Sequence, residues 1–365
     1  MVKIPSSPTR GVLAVAVALV THSALALTFN FTNGGGVPAN FMTAAVAAGN
    51  LWSGYFTDPI QLNITLNYNL GGGEVGASSA GASAVAYAIA RQALISDVVS
   101  SADLSATSFL QTSAPVQFLI NRTLSDPLRM DTGTSGTSAD NNNTQLIVHR
   151  ALSKALGLIA GNDVGSDGSL NLNPSLSYDI DRSDGIGASS YDLIGVIAHE
   201  LGHIMGFQTL AEAISVSGNL TAEGSSLPRL ADLFRFSSAS TDPSGAFAGS
   251  GAGPGVFDVS ADNRSKYFSI DGGTTAVAEF ARGSSSAVSG FGNGQQANHW
   301  LNNASPIGLM DPTIGLGELL SFTAVDRQFF DVIGFNPVPE AGTWASGIAL
   351  VGGFWILRRR SRRAA

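Results

Sequence analysis

The run His-Glu-Leu-Gly-His at residues 199–203 constrains this chain more than any other feature. On a helix, His199 and His203 are one turn apart on the same face, so both imidazoles can reach a single metal ion. Glu200 lies beside them, where its carboxylate can take a proton from an activated water. Two histidines on an ordinary helix face are the alternative, but such a run is rare in a chain with five histidines. The run therefore predicts a helix that carries a catalytic zinc site.

Composition limits the classes of protein to which the chain can belong. Its 365 residues are enough for one large domain or two modest ones with an apolar core. A formal net charge of −8, without a basic stripe, argues against nucleic acid as a partner. The chain has no cysteine, which excludes disulfides and thiolate zinc ligands.

The first 26 residues are predicted to be a signal peptide. Lys3 and Arg10 precede an apolar run over residues 11–20, and Ala24-Leu25-Ala26 supplies the small residues that signal peptidase requires. Cleavage is expected after Ala26. The chain is therefore expected to be exported.

Residues 337–365 are predicted to be a second processing segment. Residues 344–357 are mostly apolar, short for a transmembrane helix, and are followed by an arginine-rich tail at 358–363. With Val338-Pro339-Glu340 in front, this layout resembles a PEP-CTERM sorting signal, although Ala341 stands where the family usually has proline. The resemblance implies transient insertion in the inner membrane and removal by an exosortase. The mature protein would be periplasmic, on the cell surface or extracellular; an ordinary membrane anchor is the alternative.

Between the two signals, helical and strand patterns alternate and predict an α+β domain with a twisted mixed sheet over residues 27–336. Asp192 is a plausible cap for the helix that carries the motif, and Gly206 a plausible end. The predicted helices cover residues 40–55, 79–99, the end of 144–158, 191 onward and 323–333. The predicted strands cover residues 62–70, 115–120, the start of 144–158 and 176–180.

Residues 207–298 differ from the rest, because they are rich in glycine and serine with short strand-like pieces at 233–236 and 267–270. Long segments of this kind are usually functional insertions or flexible loops. We therefore expect an insertion after the motif helix, followed by a C-terminal helical subdomain.

A catalytic zinc takes three protein ligands, so the motif needs a third one from elsewhere. In the compact spacing of one zinc-protease class, a histidine or aspartate would stand at position 209, but Thr209 is there. A glutamate on a following helix is the second option. Glu212 is too close for an antiparallel return, and Glu223 stands in an unhelical context.

The remaining histidines supply the third option. His22 leaves with the signal peptide, so His149 and His299 remain. His149 lies at an apparent strand or helix end, where a core or surface role is expected. His299 is therefore the favoured third ligand, with His149 or a carboxylate as the alternatives.

The motif, the long insertion, His299-Trp300 and Leu309-Met310-Asp311-Pro312 together resemble a leishmanolysin-like metzincin. The resemblance to PEP-CTERM-bearing bacterial metalloproteases is closer, and implies counterparts of residues 232–237, 262–269 and 331–335. It covers residues 27–336, and its specific parts are 191–207 and 299–313. It implies one zinc ion on His199, His203 and His299, with Met310 as a structural methionine beneath the metal. Leishmanolysin-type enzymes are rich in disulfides, and this chain has none.

The sequence thus predicts a secreted or surface zinc endopeptidase that acts on a protein or peptide substrate. Zinc would lower the pKa of a water, and Glu200 would accept its proton and deliver it to the leaving amine. Tyr267 is one candidate for an oxyanion-stabilising tyrosine. The alternatives are a non-catalytic envelope or extracellular-matrix protein that retains a metal site, and a metal hydrolase that does not act on peptides.

Two acidic clusters leave calcium possible as a second metal. Asp179, Asp181 and Asp184 precede the motif helix, and Asp163 lies near Asp167. Neither cluster has the twelve-residue spacing of an EF-hand loop, and aspartate-rich turns are more often solvated caps.

Overall fold

A computed structural model describes residues 26–121, 128–133, 141–217, 226–241, 255–283, 292–303 and 305–339. Within them the chain forms seven α-helices: α1 (Ala39–Ser53), α2 (Tyr87–Asp97), α3 (Ser101–Ser108), α4 (Arg150–Ala155), α5 (Leu193–Ile204), α6 (Leu210–Ser217) and α7 (Ala324–Val332). The strands of the same residues are short: β1 (Thr28–Asn33), β2 (Gln61–Asn67), β3 (Gly76–Ala80), β4 (Ala82–Ala86), β5 (Phe118–Ile120), β6 (Arg129–Asp131), β7 (Gln145–His149), β8 (Gly168–Leu172), β9 (Tyr178–Asp179), β10 (Tyr191–Asp192), β11 (Arg235–Phe236), β12 (Phe257–Asp258), β13 (Lys266–Phe268) and β14 (Ala278–Phe280).

The largest sheet has four strands in the order β1-β2-β8-β3. The first three are parallel, and β3 pairs antiparallel with β8 at the edge. The alternation in β2 follows from its residues, since Leu62, Ile64 and Leu66 are buried while their neighbours face outward. The sheet is mixed, as the sequence predicts.

Helices α1 and α5 pack against each other and against this sheet. Trp52 of α1 is fully buried, and its indole N–H donates to the Ala198 carbonyl of α5 at 3.0 Å. Its ring meets Phe330 of α7 edge-on, with 4.6 Å between ring centroids. An aromatic core thus joins the motif helix to the last helix.

One predicted helix is partly wrong. Residues 79–86 lie in the end of β3 and in β4, and only Tyr87–Asp97 of the predicted 79–99 helix is helical. Alanine and serine residues there carry no hydrophobic period, and β4 gains its hydrogen bonds from pairing antiparallel with the distant β7. The predicted helices at 40–55, before residue 158, after residue 191 and at 323–333 are confirmed within a few residues.

The described parts of the 207–298 insertion form regular secondary structure and contain buried charged residues. They hold α6, the antiparallel sheet β11-β13-β14 and strand β12, which pairs parallel with β5 of the preceding part. Asp258 and Lys266 are fully buried, and their charged atoms lie 3.7 Å apart. The described residues after 298 contain a single α-helix, α7, rather than the expected helical subdomain. The architecture is of the α+β class.

Candidate metal centre

Helix α5 places the first two histidines, and its ends are set by the residues that the sequence singled out. Asp192 caps it, because its carboxylate accepts the Gly195 backbone N–H at 3.0 Å. Beyond its last turn, Gly206 has φ +120°, a left-handed value that favours glycine. Between these limits His199 and His203 lie one turn apart, on the face that lines a cleft.

His299 meets these two histidines from a segment about a hundred residues away in sequence. Its Nε2 lies 3.1 Å from Nε2 of His199 and 3.1 Å from Nε2 of His203, and the latter two atoms are 3.2 Å apart. Among the described residues, this trio is the only group of three or more His, Asp or Glu side chains arranged to hold a metal ion. The three histidines could therefore bind a metal.

The other ring nitrogen of each histidine contacts a backbone carbonyl. Nδ1 of His199 lies 2.7 Å from the Leu309 oxygen, Nδ1 of His203 lies 2.9 Å from the Phe207 oxygen, and Nδ1 of His299 lies 3.3 Å from the Gln296 oxygen. Because a carbonyl only accepts, each Nδ1 must carry the proton and donate it. Each Nε2 then presents its lone pair to the shared point, which is the tautomer that a metal ligand needs.

Burial keeps the three imidazoles neutral. It lowers the pKa of His203 to about 3, with the nearby His199 adding to the shift. Burial also lowers the pKa of His199, and burial with the two neighbouring rings holds the pKa of His299 well below its usual range. Neutral imidazole is the form that binds metals.

Glu200 lies beside the trio, between α5 and strand β3. It is 7% exposed, and its Oε2 accepts a hydrogen bond from the Ser78 hydroxyl at 2.7 Å. Burial raises the pKa of Glu200 to about 7; the Ser78 hydrogen bond opposes this shift, and the charge of Glu74 adds to it. A pKa in this range suits a group that both takes and returns a proton near neutral pH.

The loop that carries His299 is tethered by the insertion. Glu212 of α6 accepts the Ala297 backbone N–H at 2.5 Å, and the His299 carbonyl accepts the Ala281 N–H at 3.0 Å. Glu212, which the sequence offered as an alternative ligand, thus holds the backbone two residues before His299 and is not part of the trio. Thr209 is also engaged elsewhere, since its hydroxyl donates to the buried Asp232.

Met310 follows in a turn that packs under α5. It is fully buried, and its carbonyl accepts the Trp300 backbone N–H at 2.9 Å. A Cβ added at Gly202, between the two helix histidines, would collide with the Met310 sulfur. The chain thus needs glycine at 202 for Met310 to reach the underside of the motif.

Asp326 of α7 links Trp300, next to His299, to Leu309, next to Met310. No sequence pattern predicts this role. Asp326 is fully buried; one oxygen accepts the Trp300 indole N–H at 2.8 Å, and the other accepts the Leu309 backbone N–H at 2.8 Å. It also forms a capping box with Thr323. The pattern Thr-x-x-Asp could have predicted the cap, but its bonds to residues 300 and 309 depend on tertiary packing.

The three histidines border a cleft of about 670 Å³. The residues that line it include 73–78, which lead into and include most of β3, and 311–314 after the methionine turn. Tyr191 lines this cleft, whereas the Tyr267 hydroxyl donates to the Gly273 carbonyl at 2.8 Å. Tyr191 is therefore the tyrosine that the structure places beside the site.

The remaining candidate ligands lie away from the histidine trio or outside the described residues. His149 is buried at the end of β7 and does not belong to the trio. Burial lowers the pKa of His149 to about 4, and the charge of Arg229 adds to this shift. Glu223 lies outside the described residues, as do residues 1–25 and 340–365 of the predicted processing segments. In the part of the chain that is described, no helix has the length and apolarity to cross a membrane.

Aspartates of both acidic clusters already bind groups of the protein. Asp179 accepts the backbone N–H groups of Asp181 and Gly187 at 3.0 and 2.8 Å. Asp163 pairs with Arg150, and Asp167 pairs with the fully buried Lys154 at 2.6 Å. Calcium binding at these clusters gains no support from the structure.

Comparisons with protein-family models, curated proteins and solved structures give no match for this chain.

Proposed function

We propose that this protein is a zinc-dependent endopeptidase with a metzincin-like site, exported and sorted as its two terminal segments predict. The observation that carries the proposal is the convergence of three neutral imidazole Nε2 atoms, 3.1–3.2 Å apart, beside a buried glutamate in an open cleft.

Zinc suits this donor set. Zn–N bonds of about 2.0–2.1 Å in a tetrahedron put neighbouring nitrogens roughly 3.3–3.4 Å apart, close to the separations found here. Three ligands from the protein, rather than four, are typical of a catalytic zinc, and Glu200 would serve no purpose at a purely structural site. The residues present therefore fit the metal.

When bound, zinc supplies Lewis acidity, which activates a water and polarises a carbonyl. Glu200 then has the proton-transfer role: its carboxylate accepts the proton of the attacking water and returns it to the nitrogen of the leaving amine. The histidines hold their lone pairs in place through their Nδ1–H bonds to the backbone. Met310 shapes the floor without supplying a proton or charge.

A peptide suits the cleft better than a compact small molecule. Residues of β3 line the cleft together with residues 311–314, and among the described residues β3 is an edge strand of its sheet. An edge strand presents backbone N–H and C=O groups with which an extended peptide can pair. This edge strand supports a peptide substrate over an ester or a sugar.

The test combines zinc content and peptide cleavage for the purified full chain and three variants. We expect the wild type to bind one zinc and to cleave unfolded casein. Glu200→Gln should keep the zinc and lose activity by about 10²-fold or more. His299→Ala should lose the zinc, while His149→Asn, which removes a buried histidine outside the trio, should keep it.

Two results would contradict the proposal. If the wild type holds zinc but cleaves no protein under any condition, the site is structural or serves another hydrolysis. If His299→Ala binds zinc as tightly as the wild type, the trio is not the metal site.

A further inference from the structure

Strand β3 is built from small residues, Gly-Ala-Ser-Ser-Ala, and it packs directly against α5. Side chains alternate along a strand, so Gly76, Ser78 and Ala80 share one face, and Ala77 and Ser79 share the other. Gly76 and Ser78 lie against the motif helix, whereas Ser79 is exposed. The face towards α5 thus carries one polar side chain, the hydroxyl of Ser78.

That hydroxyl donates to Oε2 of Glu200 at 2.7 Å. Glu200 is long and has several rotamers, and without a partner its carboxylate could turn about the last bond. A hydrogen bond to Oε2 restricts this rotation and leaves the other oxygen, Oε1, to act on a reacting water in the proposed reaction. Ser78 therefore acts on the orientation of the carboxylate.

Gly76 leaves space for the other oxygen of the carboxylate. Its φ is not in the left-handed region, so glycine is needed for space rather than for conformation. A Cβ there would lie 2.9 Å from Cγ1 of Val196 and 3.0 Å from Oε1 of Glu200. The strand backbone thus borders Oε1 closely while Ser78 holds Oε2.

Pairing within the sheet fixes the positions of Gly76 and Ser78 next to Glu200. Ser78 pairs with Leu170 and Gly76 with Leu172 of β8, and β8 lies inside the four-stranded sheet. A slip of one residue would turn every side chain of β3 to the opposite face. The hydroxyl is therefore held by a rigid strand, which is the support that a reacting group requires.

We propose that Ser78 is a positioning residue for Glu200, which holds the carboxylate in the single orientation that serves peptide hydrolysis. This role rests on the proposed function, because it assigns Ser78 to the same reaction. Ser78 acts through Glu200 and does not bind the metal.

The kinetic test compares Ser78→Ala, Ser78→Thr and Ser79→Ala in the full-length zinc protein. Ser78→Ala should lower kcat about ten-fold or more, as expected for a lost hydrogen bond to a charged group, with KM nearly unchanged. Zinc content should match the wild type, and thermal unfolding should show that the variant is folded at the assay temperature. Ser78→Thr keeps a hydroxyl and should recover most of kcat, and Ser79→Ala, on the exposed face of the same strand, should have no effect. Wild-type kcat in Ser78→Ala, or a threonine variant as slow as alanine, would overturn the role.

A second measurement does not depend on activity. Crystal structures of the zinc-bound wild type and Ser78→Ala should show one Glu200 rotamer in the former and more than one, or a displaced one, in the latter. An unchanged single rotamer in Ser78→Ala overturns the proposal even if the protein cleaves peptides. If Glu200 moves as expected but no protein is cleaved, the role of Ser78 in orienting Glu200 stands and the endopeptidase assignment falls.

Discussion

The two chain segments that supply the histidine trio, which form the two halves of the site, are held in different ways. His199 and His203 lie on one capped helix, so their spacing follows from local backbone geometry. His299 lies in an irregular segment whose position depends on Glu212, Ala281 and Asp326, none of them near it in sequence. The spacing of His199 and His203 is therefore set by secondary structure, and the position of His299 by tertiary contacts.

This difference has an energetic side. A helix turn forms or breaks with its own hydrogen bonds, whereas the His299 segment stays in place only while distant buried polar groups remain paired. The segment with the third ligand should be the first to loosen when the protein is perturbed. Substitutions that separate the two halves test this directly.

The largest effect is expected for Asp326→Ala. It leaves the Trp300 indole and the Leu309 backbone N–H without an acceptor in a buried place, at about 1–3 kcal/mol each, so unfolding free energy should fall by about 3 kcal/mol or more. Zinc affinity should fall about 10–100-fold, because Leu309 and Trp300 adjoin the ligands. Denaturant unfolding and competitive zinc titration measure the two effects.

Asp192→Ala is the matched control on the other half. Asp192 is an equally buried aspartate that caps α5, and it also accepts the Leu320 N–H at 3.1 Å. Its loss should destabilise the fold but leave zinc affinity little changed, because His199 lies two turns further along. Equal losses of affinity in the two variants would remove the distinction between the halves.

The sequence predicted the helix half well and the other half by elimination. The motif, the Asp192 cap and the end at Gly206 follow from local rules, and the structure has all three. Elimination among the histidines predicts His299, but no sequence pattern shows that Glu212 binds the Ala297 backbone or that Asp326 binds Trp300 and Leu309. Ser78 was hidden for the same reason, because a serine in an alanine-rich stretch carries no signal until β3 pairs with β8.

A smaller effect is expected at the contact between the halves. Replacing a helix-interior glycine by alanine usually stabilises a protein by about 0.5–1 kcal/mol. Gly202→Ala should instead destabilise this one by about 1–3 kcal/mol, because the new Cβ would overlap the Met310 sulfur. Thermal unfolding of the zinc-free protein measures the effect.

A double-mutant cycle with Met310→Ala identifies the cause. In that background the sulfur is gone, and Gly202→Ala should cost much less than in the wild type. If the cost is the same in both backgrounds, the turn at Met310 does not restrict Gly202.

The smallest expected effect concerns the docking of α7, which carries Asp326. Asp331 of α7 accepts the Ser100 hydroxyl at 2.7 Å, and burial together with the charge of Asp103 raises the pKa of Asp331 above its usual range. The folded state therefore holds this proton more tightly than the unfolded chain does. The stabilising effect of this proton is complete below about pH 4, the ordinary pKa of an aspartate, and is lost as the pH rises through the raised pKa.

Asp331→Asn removes this titration. We expect the variant to gain stability relative to the wild type between pH 5 and pH 8, by on the order of 1 kcal/mol, in urea unfolding at both values. Asp184→Asn, at an exposed position, should give no such gain. If the unfolding free energy of Asp331→Asn depends on pH as that of the wild type does, the carboxyl of Asp331 does not change protonation on folding.

The Nδ1 contacts of the three histidines bear on how this site tolerates sequence change. Each acceptor is a main-chain oxygen, at Leu309, Phe207 or Gln296, so replacing those side chains does not delete the acceptor itself. Mutation can remove a ligand in one step, but it can remove a ligand's orientation only by moving the backbone. Any restriction on the side chains at these three positions therefore comes from packing, since Phe207 and Leu309 are buried, and not from the orientation of the histidines.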